Sequence, residues 1–224
     1  MAQLSRRQLI GSVAAGAALA SVAGLPGCAG AKPMPTLKNA QFYGPDGKFN
    51  DAAAKDAYYA MMERFGYPIP PRLRTADFWA IDFGLGKFTE VGMAGIFWVN
   101  DKDGKYFGHE IYLLPNQMLP EHAHVALPDV APKMEAWHLR YGAVTLFGEG
   151  EKTPGAELLV PASERQYVTV WHTAQPGLGE IGKLNRAEAK HFMIASPAGA
   201  IVSEYASYHD NKALRFTNPA IKFG

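Results

Sequence analysis

Cysteine is almost absent from this chain: Cys28 is alone among 224 residues, so no internal disulfide can staple the fold. Charge of one sign is also missing, since 22 Lys and Arg against 21 Asp and Glu leave a formal +1. No basic run interleaves with aromatics, and nothing in this balance points to a polyanion; a nucleic-acid partner is excluded. No apolar run is long enough to span a bilayer, because the one from Gly11 to Ala23 is short and built largely of Ala and Gly. Internal repeats and low-complexity tracts are lacking beyond the N-terminal leader. What is present is a composition that is 48% hydrophobic and only 19% charged, which supports a packed core and argues against disorder.

The leader carries the clearest local signal. Ser5-Arg6-Arg7-Gln8-Leu9-Ile10 places two arginines before the apolar run, and small residues follow it. A charged start, a short apolar centre and a small-residue end describe an export signal over residues 1–31, and the paired arginines favour the twin-arginine route. Leu25-Pro26-Gly27-Cys28 reads as a lipoprotein-processing site, which would anchor the mature chain to a membrane through lipid. Cleavage after Ala29-Gly30-Ala31 is the competing reading and would discard the cysteine. Either way the expected location is periplasmic. Removing Arg6 and Arg7 leaves twenty basic against twenty-one acidic groups, a formal −1.

Residues 32–49, rich in Pro, Gly and Lys, read as a tether, and residues 50–224 as one domain. Asn50 or Asp51 caps a predicted helix running to Phe65, with Tyr58, Met61, Met62 and Phe65 at helical spacing and Gly66 as the stop. From Phe78 onward the pattern is of short β-branched and aromatic runs bounded by turn residues. Val91–Val99, Tyr106–Leu114, Ala136–Phe147, Tyr167–Trp171, His191–Ala195 and Ala200–Tyr205 are expected strands, and Asn100–Gly104 a hairpin loop. Many short strands with turns between them define a mostly β chain, a sandwich or jelly-roll barrel with the helix packed on it.

Pro120-Glu121-His122-Ala123-His124 ends one such strand. Histidines two apart point to the same face, a common way to grip a first-row metal. Glu135 follows, then six residues, then Gly142, in the pattern of the first cupin motif, with a loop containing Pro128 and Pro132 inserted before Glu135. The fourth ligand should come from a later strand: His191 is the candidate and His172 the competitor. Three imidazoles and one carboxylate leave open corners on a six-coordinate ion, which suits Mn, Fe, Co or Ni better than a closed structural zinc site.

An ordered series of segments resembles the D-lyxose isomerase family of cupins. It runs through Asp82–Lys87, Pro120–His124, Lys133-Met134-Glu135, Arg140-Tyr141-Gly142, Gly148–Pro154, Val170-Trp171-His172, Lys190-His191-Phe192 and Val202-Ser203-Glu204. The resemblance covers roughly residues 50 to 222. It implies a cupin-type jelly roll and a Mn2+-dependent aldose–ketose isomerase acting on D-lyxose, D-mannose or a similar sugar, with Fe2+, Co2+ or Ni2+ as alternative ions. It carries the ligand set onto His122, His124, Glu135 and His191, and the acid–base and substrate-binding groups onto Lys133, Glu204 and Asp210. In that reading Glu204 is the base, with a pKa raised by burial, and Lys133 stabilises the developing oxyanion. The family often has Lys where this chain has His109. Two other readings stay open: an Fe(II) cupin oxygenase, and a non-enzymatic sugar- or metal-binding lipoprotein. Barrel edges make a homodimer an expected assembly.

Overall fold

The computed structural model describes residues 34–223. The leader, with Arg6, Arg7 and Cys28, lies outside the described residues. Among them, one α-helix, α1 (Asp51–Phe65), precedes nine strands. These are β1 (Phe78–Ile81), β2 (Met93–Asp101), β3 (Tyr106–Leu113), β4 (Met118–His124), β5 (Glu135–Gly148), β6 (His172–Ala174), β7 (Ile181–Lys183), β8 (His191–Ala206) and β9 (Leu214–Phe216). No described helix is long and apolar enough to cross a membrane.

Two long strands organise the barrel. β5 and β8 run antiparallel over their whole lengths, from Glu135 opposite Ala206 to Gly148 opposite His191. The second half of β8 also pairs with β3, which leads on to β2 and β1, while its first half pairs with β4, which leads on to β9. β6 and β7 hold the other edge of β5. Each long strand therefore passes from one half-sheet to the other, as in a cupin-like jelly roll. The bend falls where β5 carries Gly142 (φ 73°), paired with Ala200, and β8 carries Gly199 (φ 81°) next to that partner. A Cβ on Gly142 would lie 2.0 Å from the Gly199 carbonyl oxygen, so the glycine of the sequence motif is there to let two backbones touch at the corner.

Burial divides along strand alternation. Met93, Ile111, Leu113, Leu139, Val144 and Val202 fill the interior between the half-sheets. On the outer face of β1, β2 and β3, α1 buries Tyr58, Met61 and Met62 against Phe78, Ile96 and Tyr112. Each fully buried large side chain stabilises by about 1.5–3 kcal/mol. The Asn50 side chain accepts the Ala53 N–H at 3.1 Å, a cap contributing about 1 kcal/mol, and Gly66 ends the helix in the left-handed region. Buried Gln117 ties helix to barrel: its Oε1 accepts from the Tyr58 hydroxyl (2.7 Å) and its Nε2 donates to the Phe88 carbonyl (2.6 Å).

The structure departs from the sequence expectations in three places. Much of the expected tether is docked: Asn39–Phe42 form a 3-10 turn, and Phe42 is buried against Phe88, ring centroids 4.8 Å apart. The expected strand Tyr167–Trp171 is absent, because the Thr169 and Val170 N–H groups donate to the buried Glu121 carboxylate (2.7 and 3.1 Å) instead of to a strand. His191–Ala195 and Ala200–Tyr205 are one strand, β8, bent through its bulges.

Candidate metal centre

The cluster is assembled by strand ends. Alternation on β4 turns His122 and His124 to the interior. His191 opens β8 directly across from His122, and Glu135 opens β5. All four are buried, and their ligand atoms lie within 4.8 Å of one another. The backbone sets two of the rings. His122 Nδ1 donates to the Pro120 carbonyl and His191 Nδ1 to the Ala189 carbonyl, each at 2.9 Å, which turns both Nε2 atoms to the interior. Glu135 faces these rings, with Oε2 2.7 Å from His191 Nε2 and Oε1 3.1 Å from His124 Nε2.

The donor set fits a divalent cation. Burial and the neighbouring imidazoles push His122 well below its ordinary range, so it is the neutral ligand form. Burial alone would raise Glu135, but Lys133 and the imidazoles outweigh it and hold the carboxylate ionised, well below the usual range. His124 Nδ1 is buried with no hydrogen-bond partner among the described residues. A carboxylate among three imidazoles, two of them set by backbone carbonyls, is a site that a first-row divalent ion would satisfy, with corners left over. His172 stands apart at the start of β6, exposed, with Nδ1 on the Glu151 carbonyl at 3.0 Å.

Beside the cluster sits a second group of charges. Lys133 is buried, its Nζ 2.7 Å from Glu135 Oε1 and in contact with Glu204 Oε1. The same ammonium lies 4.3 Å from the centroid of the Phe107 ring. Glu204 projects from β8 to the interior, and its Oε2 is 3.0 Å from His109 Nδ1. Trp79, Phe83, Phe97, Phe216 and Phe223 form the apolar wall opposite.

The expected upward pKa shift of Glu204 is corrected. Burial does press it upward, but the Lys133 ammonium and the His109 hydrogen bond win, and its pKa is lowered. The carboxylate is therefore ionised at neutral pH and able to accept a proton. Asp210 lies away from the pocket lining: its carboxylate accepts the Lys212 N–H at 2.9 Å and caps the 3-10 turn Asn211–Ala213. The adjacent His209 lines the pocket in its place, pushed down to about 4 by burial and then by Lys133. Sequence reasoning missed His209, and nothing in its spacing could have marked it. The place of His109 beside Glu204 was readable in principle, because its alternation with Ile111 turns it inward.

A cupin-like barrel with a buried His/His/Glu/His group and an adjoining Lys–Glu pair defines a metal-binding sugar isomerase of the aldose–ketose type when set beside its relatives. The D-lyxose/D-mannose isomerase of Thermosediminibacter oceani is 38% identical over 141 residues, 63% of this chain and 76% of that protein. The D-lyxose ketol-isomerase of Cohnella laeviribosi is 31% identical over 170 residues, 75% of this chain and 91% of that protein. The chain belongs to the D-lyxose ketol-isomerase family. No protein-family model matches it. Among solved structures, the Cellulomonas parahominis L-ribose isomerase with L-psicose shares the fold, with a TM-score of 0.57 at 14% identity over 76% of this chain and 93% of that one. The Geodermatophilus obscurus L-ribose isomerase gives 0.54 at 15% identity over 75% and 89%.

Proposed function

We propose that this chain interconverts D-lyxose and D-xylulose, with D-mannose and D-fructose as a second pair, and that Mn2+ is its resident cation. Fe2+, Co2+ and Ni2+ share the donor preference and are the alternatives. The observation that carries the reading is the Glu204 carboxylate, ionised and clasped by Lys133 at the rim of the four-donor group. The names of the curated relatives support the substrate class.

His122, His124, Glu135 and His191 would hold the cation, which supplies Lewis-acid polarisation of the sugar's carbonyl. The protein's residues do the rest. Glu204 takes the proton from C2 of the open-chain aldose and returns it to C1, while the O2 hydroxyl proton passes to O1, so one C–H and one O–H bond break, one of each forms, and no external oxidant or reductant is needed. Lys133, shared between Glu135 and Glu204, stands where it can offset negative charge developing on the sugar oxygens. The aromatic wall excludes water from that charge and strengthens its interaction with Lys133. Roles for Glu204 and Lys133 rest on this geometry and on the family resemblance; Asp210, as a turn cap, contributes nothing to this scheme.

The test is incubation of the Mn2+-loaded chain with a panel of aldoses and ketoses, followed by product identification. Ketose formed from D-lyxose without oxygen uptake supports the reading; oxygen consumption would favour an oxygenase, and sugar binding without conversion a binding protein. Turnover in deuterated water should label the product carbon, whereas a product free of deuterium would favour a hydride shift between C1 and C2. The leader supports export by the twin-arginine route, a periplasmic location and a lipid anchor at Cys28. The intact mass of the mature chain tests this: a diacylated Cys28 terminus agrees, and an unprocessed Met1 terminus does not. A homodimer is the assembly proposed, and sedimentation of the full chain tests it.

A further inference from the structure

A carboxylate that must accept a proton from one carbon and return it to the next has to be held in one plane. Lys133 holds one oxygen of Glu204. The other is held by an imidazole. His109 sits on β3 directly opposite Glu204 on β8, and its Nδ1 is 3.0 Å from Oε2. Its Nε2 is buried with no hydrogen-bond partner among the described residues. A proton on Nε2 would be an unsatisfied buried donor, and a bare Nδ1 would set a lone pair against a carboxylate. Both arguments put the ring's proton on Nδ1, donating to Glu204.

The ring itself is clasped. Trp79 stacks on it at 5.7 Å and 26°, and Phe97 meets it edge-on at 4.9 Å and 86°. Beneath it lies Gly95 of β2. A Cβ built there would come within 2.3 Å of His109 Nε2 and 2.7 Å of Trp79 Cζ2. Gly95 is not in the left-handed region, so its backbone does not call for glycine. The imidazole does.

We infer that His109 is a positioning residue for Glu204, and that Gly95 is the seat that lets its ring reach the carboxylate. The inference rests on the reading of Glu204 as the base. It concerns how this chain orients that base with a ring-nitrogen donor rather than a second ammonium.

The experiment is a double-mutant cycle on the Mn2+-loaded full chain, read as kcat and KM separately. His109→Leu should lower kcat by about 10–100-fold, with KM and Mn2+ affinity within about twofold, since misplacing a reacting group costs rate rather than binding. His109→Asn, whose side-chain amide can donate from nearly the same place, should recover kcat to within about fivefold. Gly95→Ala should depress kcat in the wild-type background by several-fold more than on top of His109→Asn, where the shorter side chain removes the clash with the imidazole and leaves only the one with Trp79. A His109→Leu variant with full kcat, or with KM raised and kcat intact, would overturn the inference. So would a Gly95→Ala effect of equal size in both backgrounds.

A readout independent of turnover guards against variants that fail to fold. Imidazole nitrogen NMR of the wild-type full chain should show His109 carrying its proton on Nδ1, with that nitrogen's resonance moving in Glu204→Gln. A proton on Nε2 sinks the inference whatever the kinetics show. The expected tautomer in a chain that converts no sugar would keep the pairing but sink both the isomerase reading and the positioning role.

Discussion

Glu110 and Glu204 are two buried carboxylates on opposite faces of one sheet, a single rung apart. On β3 and β8, His109 stands opposite Glu204 and Glu110 opposite Ser203. Glu110 faces outward under α1 and is saturated by neutral donors. The Tyr67 hydroxyl donates to it at 2.8 Å, Trp98 Nε1 at 3.1 Å, and the Ser203 hydroxyl completes the set. Glu204 faces inward and is held by a lysine and an imidazole, next to a group of donors whose geometry fits a cation. Burial is therefore not what separates a structural carboxylate from a chemical one. The difference lies in whether its partners are fixed neutral donors that complete it, or charged and titratable groups that leave it room to react.

The largest effect expected from this contrast is on rate. Glu204→Gln should lower kcat by about 10²–10⁴-fold per folded molecule, the usual weight of a general base, while leaving Mn2+ binding near wild type. Steady-state kinetics with D-lyxose beside a melting curve would check it. A variant that turns over normally would erase the distinction between the two carboxylates.

Withdrawal of the cation comes next. If the four-donor group holds Mn2+ tightly, an ion present at about 100 times its dissociation constant stabilises the fold by about 2.7 kcal/mol. For a domain of this size that is a rise in Tm of about 5–11 °C, reversed by chelation. His122→Ala should melt at the same temperature with and without Mn2+. A cation-dependent Tm surviving in that variant would place the ion elsewhere.

Glu110→Gln should show the reverse of Glu204→Gln. It puts an amide donor among donors and leaves a buried polar group unsatisfied, at a cost of about 1–3 kcal/mol, or about 2–12 °C in Tm. Its kcat per folded molecule should stay within about twofold. A large loss of kcat with an unchanged Tm would mean that the outer carboxylate tunes the inner site, and the two faces would no longer be separable.

The same contrast explains what could be read from the sequence. Alternation alone turned His122 and His124 to one side, and helical spacing with Asn50 or Asp51 as cap and Gly66 as stop placed α1 to within a residue. The motif glycine, Gly142, marked a real corner. These are local signals, carried by neighbours in the chain. The failures are long-range. Phe42 lies in a stretch that reads as tether, and Phe88 with the cluster around α1, from further along the chain, gives it a core to enter. Tyr167–Trp171 has a strand's composition, but Glu121 took its backbone donors. The direction of the Glu204 shift depended on Lys133, 71 residues earlier, reaching its Oε1. Asp210 matched in order but was diverted to a turn cap. Sequence order does not say which of two adjacent polar residues the fold turns inward.

A third buried carboxylate lies between the two extremes and gives the smallest test. Glu164 Oε2 accepts from Asn218 Nδ2 at 2.9 Å, while Oε1 has only Lys87 at 4.0 Å and no hydrogen bond among the described residues. It is half-completed, and burial raises its pKa above the ordinary value of 4.5 against the opposing pull of Asn218 and Lys87. A raised carboxyl pKa means that the folded state holds the proton more tightly than the unfolded chain. The stabilisation is then complete below about 4.5 and is lost as pH climbs through the folded value. Glu164→Gln cannot ionise. Its Tm relative to wild type should therefore rise between pH 4 and pH 7, by no more than about 2–4 °C for a term of about 1 kcal/mol or less. The comparison of variant with wild type at each pH cancels every other titrating group. A relative Tm that falls over that interval would show that Lys87 completes Glu164 as an ion pair, and would move it into the class of Glu204.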